Sequence, residues 1–522
     1  MPKTFYITTA IDYTNSAPHI GHAYEKVLAD VIARYHRLKG EPVYFLTGVD
    51  QHGQKVQQSA EKREIPPQQF VAGITEQFIA LWDKLEVRYD GWAATTNPLH
   101  KQCVQGMLER LWNQKQLYRD KQSGYYSVRQ EQFLTDKERG PDGNFGPEWG
   151  TVEYREEENY YFTLSSHKEW LLKFLSSHPA FVTPSFRQTE LVNAVEKLGG
   201  DLCISRPKSR LNWGIELPFD PEYVNYVWFD ALSNYLSFVG YDPNLTDFSS
   251  QPSTFLDKWP ALHVIGKDIM VPAHGIYWPI MLHALGFPDD RMPGLLVHGW
   301  WNIGGAKMSK SVGNSVDPNT LVDKYGAEAV RYYLMSDIVT GKDADFSEER
   351  LVARYNSDLA NNIGNLVSRT LNMLNRFCHA RLNARASDFN SELQSQARAQ
   401  RERFQQSADE FSTPGMLAAA DCLSSRCNEA IDREKPWELA KDRGRQAKVA
   451  CLLYELAEAV RLIALFISPV LPRAAHGVFD QLQWKMELGG KEERFSAGDM
   501  EWGQLPEGHV VGKPAPLFPR FT

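Results

Sequence analysis

Two histidines near the start of the chain and two lysines far along it are the residues best suited to handle a polyphosphate. His19 and His22 lie in the run Pro18-His19-Ile20-Gly21-His22, and Lys307 and Lys310 lie in Lys307-Met308-Ser309-Lys310-Ser311. Imidazole and ammonium groups stabilise the charge that moves onto phosphate oxygens during nucleotidyl transfer. Each motif alone is also typical of an ordinary solvated segment. Their presence together predicts one nucleotide site formed by two distant parts of the chain.

The histidines are expected at the carboxyl end of a buried strand. Residues 5–10 are β-branched and aromatic, as in a buried parallel strand, and apolar residues at helical spacing follow up to Tyr35, with Gly40 beyond them. The pair therefore opens a helix, where backbone N–H groups and the helix dipole favour phosphate. Gly21 lacks a Cβ, which we expect to allow close approach by a nucleotide.

The lysines are expected beside a second strand end. Residues 263–268 resemble a strand that ends in Gly266 and Asp268, where a dinucleotide-type fold places a ribose hydroxyl. A short apolar run ending at His298 follows, and Gly304 and Gly305 lead into the lysine segment, with Ser309 between the lysines. Together the two halves predict a split Rossmann domain.

Composition excludes several classes of protein. The chain has 522 residues, of which 43% are hydrophobic and 23% charged, with no basic-then-apolar leader and no membrane-length apolar run. Six scattered cysteines form no Cys-x-x-Cys pair, which favours reduced thiols and a cytoplasmic location. The net charge of −8 argues against indiscriminate nucleic-acid binding, although it leaves room for a local tRNA surface.

The motifs resemble those of the class I aminoacyl-tRNA synthetases, and of the methionyl-tRNA synthetases among them, over residues 4–475. Besides the two signatures, the resemblance rests on residues 45–53, 204–206, 226–231 and 435–437. It implies ATP-dependent attachment of L-methionine to tRNA(Met) through methionyl-adenylate, for translation initiation and elongation. Mg²⁺ would accompany ATP, and the resemblance implies a monomer without the dimerisation module that some relatives append.

The implied fold is an α/β Rossmann-type catalytic domain split by a connective insertion and followed by an all-α anticodon-binding helix bundle. The expected order is a first Rossmann half at 1–117, the insertion at 118–220, a second half at 221–325, a stem-contact linker at 326–349, the bundle at 350–475 and a tail at 476–522.

The resemblance also implies the site residues. Catalysis falls to His19, His22, Lys307 and Lys310, and ATP would also meet Gly21, Gly266, Asp268 and Ser309. Asp50 would bind the methionine ammonium, and Arg206 would fix geometry near the charged end of the substrate. The remaining methionine contacts are Ala10, Ile11, Tyr13, Trp228, Ala231, Leu232, Tyr235, Ile269, His274 and Trp278. Asp268 to His274 is one residue longer than in the family, so we expect a bulge at Val271–Ala273.

Anticodon contacts are implied at Asn365, Arg369, Pro436 and Trp437. Asn365 and Arg369 share a helix face and offer hydrogen bonds to base edges, and Trp437 offers a stacking plane.

The insertion departs from zinc-binding relatives because Ser127 and Gln130 stand where cysteines are expected, so we expect no metal site there. Its aromatic residues are expected to form a small core instead: Tyr125, Tyr126, Phe133, Tyr154, Tyr160, Tyr161 and Phe162.

Three other functions remain open at this point. A class I synthetase for another apolar amino acid is the nearest, because apolar pockets separate one methylene by only about 1–3 kcal/mol. A nucleotidylyltransferase that does not act on tRNA has no use for the bundle. A non-catalytic tRNA-binding protein has no use for the histidines and lysines.

Overall fold

The computed structural model describes residues 3–128, 132–134, 136–140, 142–307, 316–384 and 391–522. Its strands are β1 (Phe5–Thr9), β2 (Asp12–Tyr13), β3 (Val43–Asp50), β4 (Gly91–Ala94), β5 (Leu117–Ser127), β6 (Gln132–Leu134), β7 (Val152–Phe162), β8 (Val182–Thr183), β9 (Leu202–Cys203), β10 (Ser205–Pro207), β11 (Glu216–Leu217), β12 (Asp220–Asn225), β13 (Ala261–Gly266), β14 (Gly294–His298), β15 (Trp301–Ile303), β16 (Ala306–Lys307) and β17 (Ala344–Asp345).

The α-helices alternate with the strands at first and then dominate. They are α1 (Ile20–Leu38), α2 (Gln54–Glu61), α3 (Pro67–Lys84), α4 (Pro98–Asn113), α5 (Lys168–Ser177), α6 (Ser185–Glu196), α7 (Val227–Ser237), α8 (Ser253–Leu256), α9 (Lys267–Ile269), α10 (Trp278–Ala284), α11 (Pro318–Tyr325), α12 (Ala327–Asp337), α13 (Glu348–Arg354), α14 (Asn365–Cys378), α15 (Glu392–Asp409), α16 (Thr413–Glu434), α17 (Pro436–Leu439), α18 (Gln446–Ile467) and α19 (Pro472–Gln481). Segments of π-helix, Met270–Tyr277 and Tyr355–Gly364, precede α10 and α14.

A parallel sheet at the centre confirms the predicted Rossmann-type α/β class. Its order is β4-β3-β1-β13-β14-β8, with β2 beside the end of β3. Tyr6 pairs with Tyr44 on one side and with Ala261 on the other, so β1 is central and carries buried residues on both faces. The strands β1, β3, β13 and β14 therefore end at one edge, where the predicted site residues are located.

Each face of this sheet is covered by its own apolar core. Helix α1 packs on one face within a core that continues through α12 into the helical part of the chain. Helices α4, α7 and α10 cover the other face. Among the described residues, no helix combines the length and apolar character needed to cross a membrane.

The segment predicted as an insertion contains two small antiparallel sheets, β6-β5-β7-β9 and β10-β12-β11. It also contributes β8, which pairs in parallel with β14 at the edge of the main sheet. Residues 118–220 are thus not wholly outside the main sheet. Only two residues of β8 pair with β14, which is too few to give a recognisable strand pattern in the sequence.

The expected aromatic core of the insertion is partly wrong. Tyr126, Tyr160, Tyr161 and Phe162 are buried, but Tyr125 and Tyr154 are exposed by 42% and 61%. They face each other across the β5–β7 ribbon, with their ring centres 5.7 Å apart. The side chain of Phe133 lies outside the described residues.

One buried arginine joins the sheet domain to the helical part. Arg331 of α12 is fully buried and donates to Asp30 of α1 at 2.7 Å. It also donates to the carbonyl oxygens of Leu85 and Val470. Breaking such a buried pair leaves an uncompensated charge, so this contact fixes the bundle against α1.

Candidate active site

The first turn of α1 holds the two predicted catalytic histidines in one stacked pair. His19 is the N-cap, and its Nδ1 accepts the N–H of Gly21 at 3.1 Å. The Nδ1 of His22 accepts the N–H of His19 at 3.1 Å, and the two rings stack at 3.8 Å. A nitrogen that accepts a backbone N–H carries no proton, so in each neutral ring the proton lies on Nε2. The pair therefore presents donors, as an anion site requires.

Gly21 leaves room for the ring of His19. A Cβ at this position would lie 2.9 Å from Cε1 of His19, inside van der Waals contact. The absence of a side chain thus lets the His19 ring fold over the helix start. Gly21 also lines the cavity described next, so the expected approach of a nucleotide stays a prediction.

A cavity of about 540 Å³ opens at the carboxyl ends of the sheet strands, next to this histidine pair. Trp228, Ala231, Leu232 and Tyr235 of α7 line it with one helix face, at spacings of three, four and seven residues. The predicted residues that line the cavity are Ala10, Ile11, Tyr13, His19, Gly21, His22, Asp50, Trp228, Ala231, Leu232, Tyr235, Gly266, Asp268, Ile269 and His274. The predicted nucleotide and amino-acid groups therefore share one cavity.

The segment between Asp268 and His274 is broken, at the position where the sequence predicts a bulge. Val271 has an extended backbone, with φ −112° and ψ 125°, inside the π-helical segment Met270–Tyr277. Ile269 and His274 still line the cavity, because the helical backbone resumes before His274.

His274 is held neutral at the cavity wall. Its Nδ1 lies 3.0 Å from the carbonyl oxygen of Ile269, which only accepts, so Nδ1 carries the proton. Its Nε2 therefore accepts from the hydroxyl of Tyr235 at 2.8 Å. Burial lowers the pKa of His274 to about 4, which keeps the imidazole uncharged at neutral pH. The wall is therefore polar at this point but carries no charge.

Asp50, the last residue of β3, also lines the cavity. Burial and then the charge of Asp230 raise the pKa of Asp50 well above its usual value. Burial acts on Asp230 too, but His52 and His100, at 2.6 and 2.7 Å from its oxygens, hold the pKa of Asp230 at about 2. Asp50 is thus the member of this acidic pair that gains most from a cationic ligand.

Arg206 and Trp278 are not among the described residues that line the cavity, and their predicted roles at the methionine site stay predictions. Arg206 lies behind the wall, with its guanidinium carbon 4.4 Å from the ring centre of Tyr226. Trp278 is fully buried and donates to Nε2 of His263 at 3.1 Å. Both residues support wall residues, and burial in a core is the usual place for a tryptophan in such a domain.

The second predicted motif is only partly described. Lys307 belongs to β16, whose backbone pairs with Asn302 of β15, and nothing is described of its side chain. Ser309 and Lys310 lie outside the described residues. Gly266 and Asp268 line the cavity at the end of β13, as a strand-end site requires.

Comparison with known proteins shows what this arrangement is. The family described as tRNA synthetases class I (M) matches residues 5–142 and 149–371. The methionine–tRNA ligases of Lactococcus lactis subsp. lactis and Caldanaerobacter subterraneus subsp. tengcongensis are 38% and 40% identical, over 99% and 100% of this chain and 78% and 79% of their own length. The chain belongs to the class I (M) tRNA synthetases.

A solved structure of a relative agrees with the fold of this class I synthetase. Mycobacterium tuberculosis methionyl-tRNA synthetase in complex with methionyl-adenylate has 34% sequence identity and a TM-score of 0.89, covering 99% of this chain and 100% of that one. A free-state structure of the same Mycobacterium protein gives a TM-score of 0.83 at 32% identity. The similarity therefore extends over the sheet domain and the helical part together.

Several cavity residues of this class I synthetase were not predicted from the sequence. They are Asp12, Glu25, Lys55, Tyr226, His298, Gly299, Trp300 and Trp301. His298 and the residues after it follow the carboxyl end of β14, so the rule that located Gly266 and Asp268 applies to them as well. Asp12 lies in a turn-rich stretch with no motif of its own.

The predicted anticodon residues of the synthetase lie on α14 and at the start of α17, which directly follows α16, and we call this region the bundle end. Asn365 is exposed, and Arg369, one turn later on α14, donates to Asn428 at 3.1 Å and to Asp432 at 2.5 Å on α16. The chain turns at Lys435, which has a left-handed backbone, and α17 begins with buried Pro436 and exposed Trp437.

Trp437 differs from most tryptophans in helical domains because 38% of it is exposed. Arg433 and Lys435 beside it are exposed as well. A solvent-facing indole among cations is suited to stack on an unpaired base and to attract the RNA backbone. These roles stay predictions.

Proposed function

We propose that the protein attaches L-methionine to tRNA(Met) at the expense of ATP, through methionyl-adenylate, for translation initiation and elongation. The observation that carries this proposal is the shared cavity. It has the donor pair His19 and His22 at a helix N-terminus on one side, and the apolar face of α7 on the other. Membership of the class I (M) family and relatives that are methionine–tRNA ligases support the substrate.

In the first step, a carboxylate oxygen of methionine attacks the α-phosphorus of ATP, and the bond to pyrophosphate breaks. The Nε2–H donors of His19 and His22 and the N-terminus of α1 stabilise the charge that develops on the phosphate oxygens. Lys307 and Lys310 complete the same role. Mg²⁺ enters with the nucleotide, bound to its phosphates. No protein nucleophile is required, because positioning and charge stabilisation provide the acceleration.

In the second step, the 2′-hydroxyl of the terminal adenosine of tRNA attacks the methionyl carbonyl, and AMP leaves. Asp50 holds the α-ammonium of methionine, and Ala231, Leu232 and Ile269 surround the thioether. His274 and Tyr235 present a fixed, uncharged polar edge to the sulfur. An apolar, polarisable wall suits this side chain.

The division of labour along the chain belongs to the same proposal. Residues 1–117 and 221–325 form the catalytic halves, 118–220 the connective insertion and 326–349 the stem-contact linker. Residues 350–475 bind the anticodon through Asn365, Arg369, Pro436 and Trp437, and 476–522 form the tail. The enzyme acts as a cytoplasmic monomer.

The test is ATP–pyrophosphate exchange with each amino acid in turn, followed by charging of tRNA(Met) and of a non-cognate tRNA transcript. Methionine is expected to support the fastest exchange, and tRNA(Met) to be charged. Faster exchange with another apolar amino acid would show that this amino acid, and not methionine, is the substrate. Exchange without any tRNA charging would favour a nucleotidylyltransferase, and no exchange with any amino acid would remove the catalytic proposal.

A further inference from the structure

A carboxylate that the proposed reaction does not use lies in the wall of the catalytic cavity. Asp12 begins β2, is 4% exposed and lines the cavity. Its Oδ1 accepts from the ammonium of Lys26 at 2.6 Å and lies 4.0 Å from Nε2 of His22. Its other oxygen, Oδ2, is buried and has no hydrogen-bond partner among the described residues. A buried oxygen without a donor is costly, and Asp12, which carries it, is a residue of the cavity wall.

Among the described residues, the groups that contact Asp12 leave no donor for Oδ2. The ammonium of Lys26 is fully buried and already meets three acceptors, Asp12, Glu25 at 3.0 Å and the carbonyl oxygen of Ala10 at 3.0 Å. The second oxygen of Glu25 meets Nε2 of His298 at 3.1 Å. An ammonium has three protons, so Lys26 is saturated. Oδ2 must therefore either accept a hydrogen bond from a group in the cavity or carry a proton of its own.

The electrostatic surroundings favour the proton. Burial and the neighbouring Glu25 outweigh Lys26 and raise the pKa of Asp12 to about 7. The protonated form of Asp12 is thus accessible near neutral pH. Burial raises the pKa of Glu25 as well, but Lys26 and His298 outweigh it and hold that pKa below its usual value. The other titratable groups around this part of the cavity are His22 of α1, Tyr235 of α7, Asp50 at the end of β3, Lys55 of α2, Asp268 of α9, His274 and His298.

We propose that Asp12 contacts the bound nucleotide in its protonated form, with Oδ2–H donating a hydrogen bond to a phosphate oxygen of ATP. The proposal rests on the proposed ATP-dependent reaction and adds a residue and a proton to it. Asp12 lies next to His22 and to the start of α1, where the phosphates are expected. An ionised Oδ2 would repel them, whereas a neutral carboxyl group donates, as buried carboxylic acids do elsewhere. ATP binding therefore takes up a proton from solvent above neutral pH.

The test is calorimetry of ATP binding without methionine, at pH 8 and pH 9, in buffers of different ionisation enthalpy. Wild-type protein is expected to take up about one proton more than Asp12→Asn, whose amide keeps a donor but cannot titrate. Between these pH values, the dissociation constant of wild type for ATP should rise about tenfold more than that of the variant. The reason is that, above the pKa, the protonated fraction of Asp12 falls about tenfold for each pH unit. Asp12→Ser serves as a second non-titrating variant if Asp12→Asn misfolds. Asp323→Asn, at an exposed ion pair with Lys84, is the matched control.

Two outcomes would overturn the assignment. Equal proton uptake by wild type and Asp12→Asn would show that Asp12 does not titrate on binding. Loss of ATP affinity by Asp12→Asn at both pH values would show that an ionised oxygen is needed, as for a metal ion or an ammonium group. Failure of the proposed function would instead appear as absent pyrophosphate exchange in wild type, so the two failures are distinguishable.

Discussion

The catalytic cavity and the end of the helix bundle place their polar groups in opposite ways. In the cavity wall, Asp12 and His274 are buried, and protein groups contact one oxygen of Asp12 and both ring nitrogens of His274. At the bundle end, Trp437 and Asn365 face solvent. The guanidinium of Arg369 forms an ion pair with the exposed carboxylate of Asp432. The cavity is organised before a ligand arrives, and the bundle end is accessible.

This difference follows from the tasks. Stabilising charge on a phosphate requires fixed donors in a water-poor site, where electrostatic interactions are strong. Reading a single-stranded loop requires planes and amides that splayed bases can reach. Substitutions in the cavity should therefore change both half-reactions, and substitutions at the bundle end should change only the charging of tRNA.

The largest effect is expected for Lys310→Ala. Loss of one such cation should lower the rate of pyrophosphate exchange by roughly 10²- to 10³-fold, with little change in the affinity for methionine, because the ammonium acts on the transition state. Single-turnover adenylate formation measures the rate, and methionine binding is measured by calorimetry. Lys324→Ala, at a surface ion pair with Glu348, is the control. An unchanged rate would remove Lys310 from the catalytic group.

Asp50→Asn should act on methionine rather than on ATP. The amide keeps the shape of the side chain but removes the charge that we assign to the ammonium contact, so the KM for methionine should rise roughly 10- to 100-fold, as for a lost charged hydrogen bond. The KM for ATP in the same exchange assay is the internal control. A rise in the KM for ATP alone would place Asp50 on the nucleotide side of the cavity.

Sequence patterns predicted the parts of the site that depend on local order. A strand followed by a helix start fixes His19, Gly21 and His22, and the spacing of Trp228, Ala231 and Tyr235 fixes a helix face. The sequence did not show that Arg206 and Trp278 lie behind the cavity wall, because the same residue type can serve in the wall or support it. Which of the two it does depends on contacts between distant segments.

Contacts between distant segments also explain why the sequence did not indicate other features. Asp12 gains its meaning from Lys26 and Glu25, which reach it only after β2 and α1 pack together. Tyr125 and Tyr154 were expected inside the insertion, but burial of a ribbon face depends on what covers it. No periodicity of the chain itself carries that information.

At the bundle end, Trp437→Ala should lower kcat/KM for tRNA charging about tenfold, because stacking of one base on an aromatic ring contributes roughly 1–3 kcal/mol. Pyrophosphate exchange without tRNA should be unchanged. Trp437→Phe keeps an aromatic plane and should retain most of the charging activity. Equal charging by wild type and Trp437→Ala would separate this end of the bundle from recognition of the anticodon.

The smallest effect is expected in the pH dependence of the free energy of unfolding, because the cavity wall keeps His274 neutral. An imidazole in the unfolded chain titrates near pH 6.5, whereas burial lowers the pKa of His274 to about 4 in the folded protein. Between these values the unfolded state binds more protons, so stability falls as the pH falls through this window.

For His274 alone, the loss between pH 7 and pH 6 is about 0.7 kcal/mol in the free energy of unfolding. His274→Gln keeps a hydrogen-bond acceptor for Tyr235 but does not titrate, so its stability should fall by that much less over the same interval. Urea unfolding of both proteins at the two pH values measures the difference, in which the contributions of all other groups cancel. If stability depends on pH equally in both proteins, the cavity admits a charged imidazole. The contrast with the accessible bundle end would then be weaker than the burial of His274 indicates.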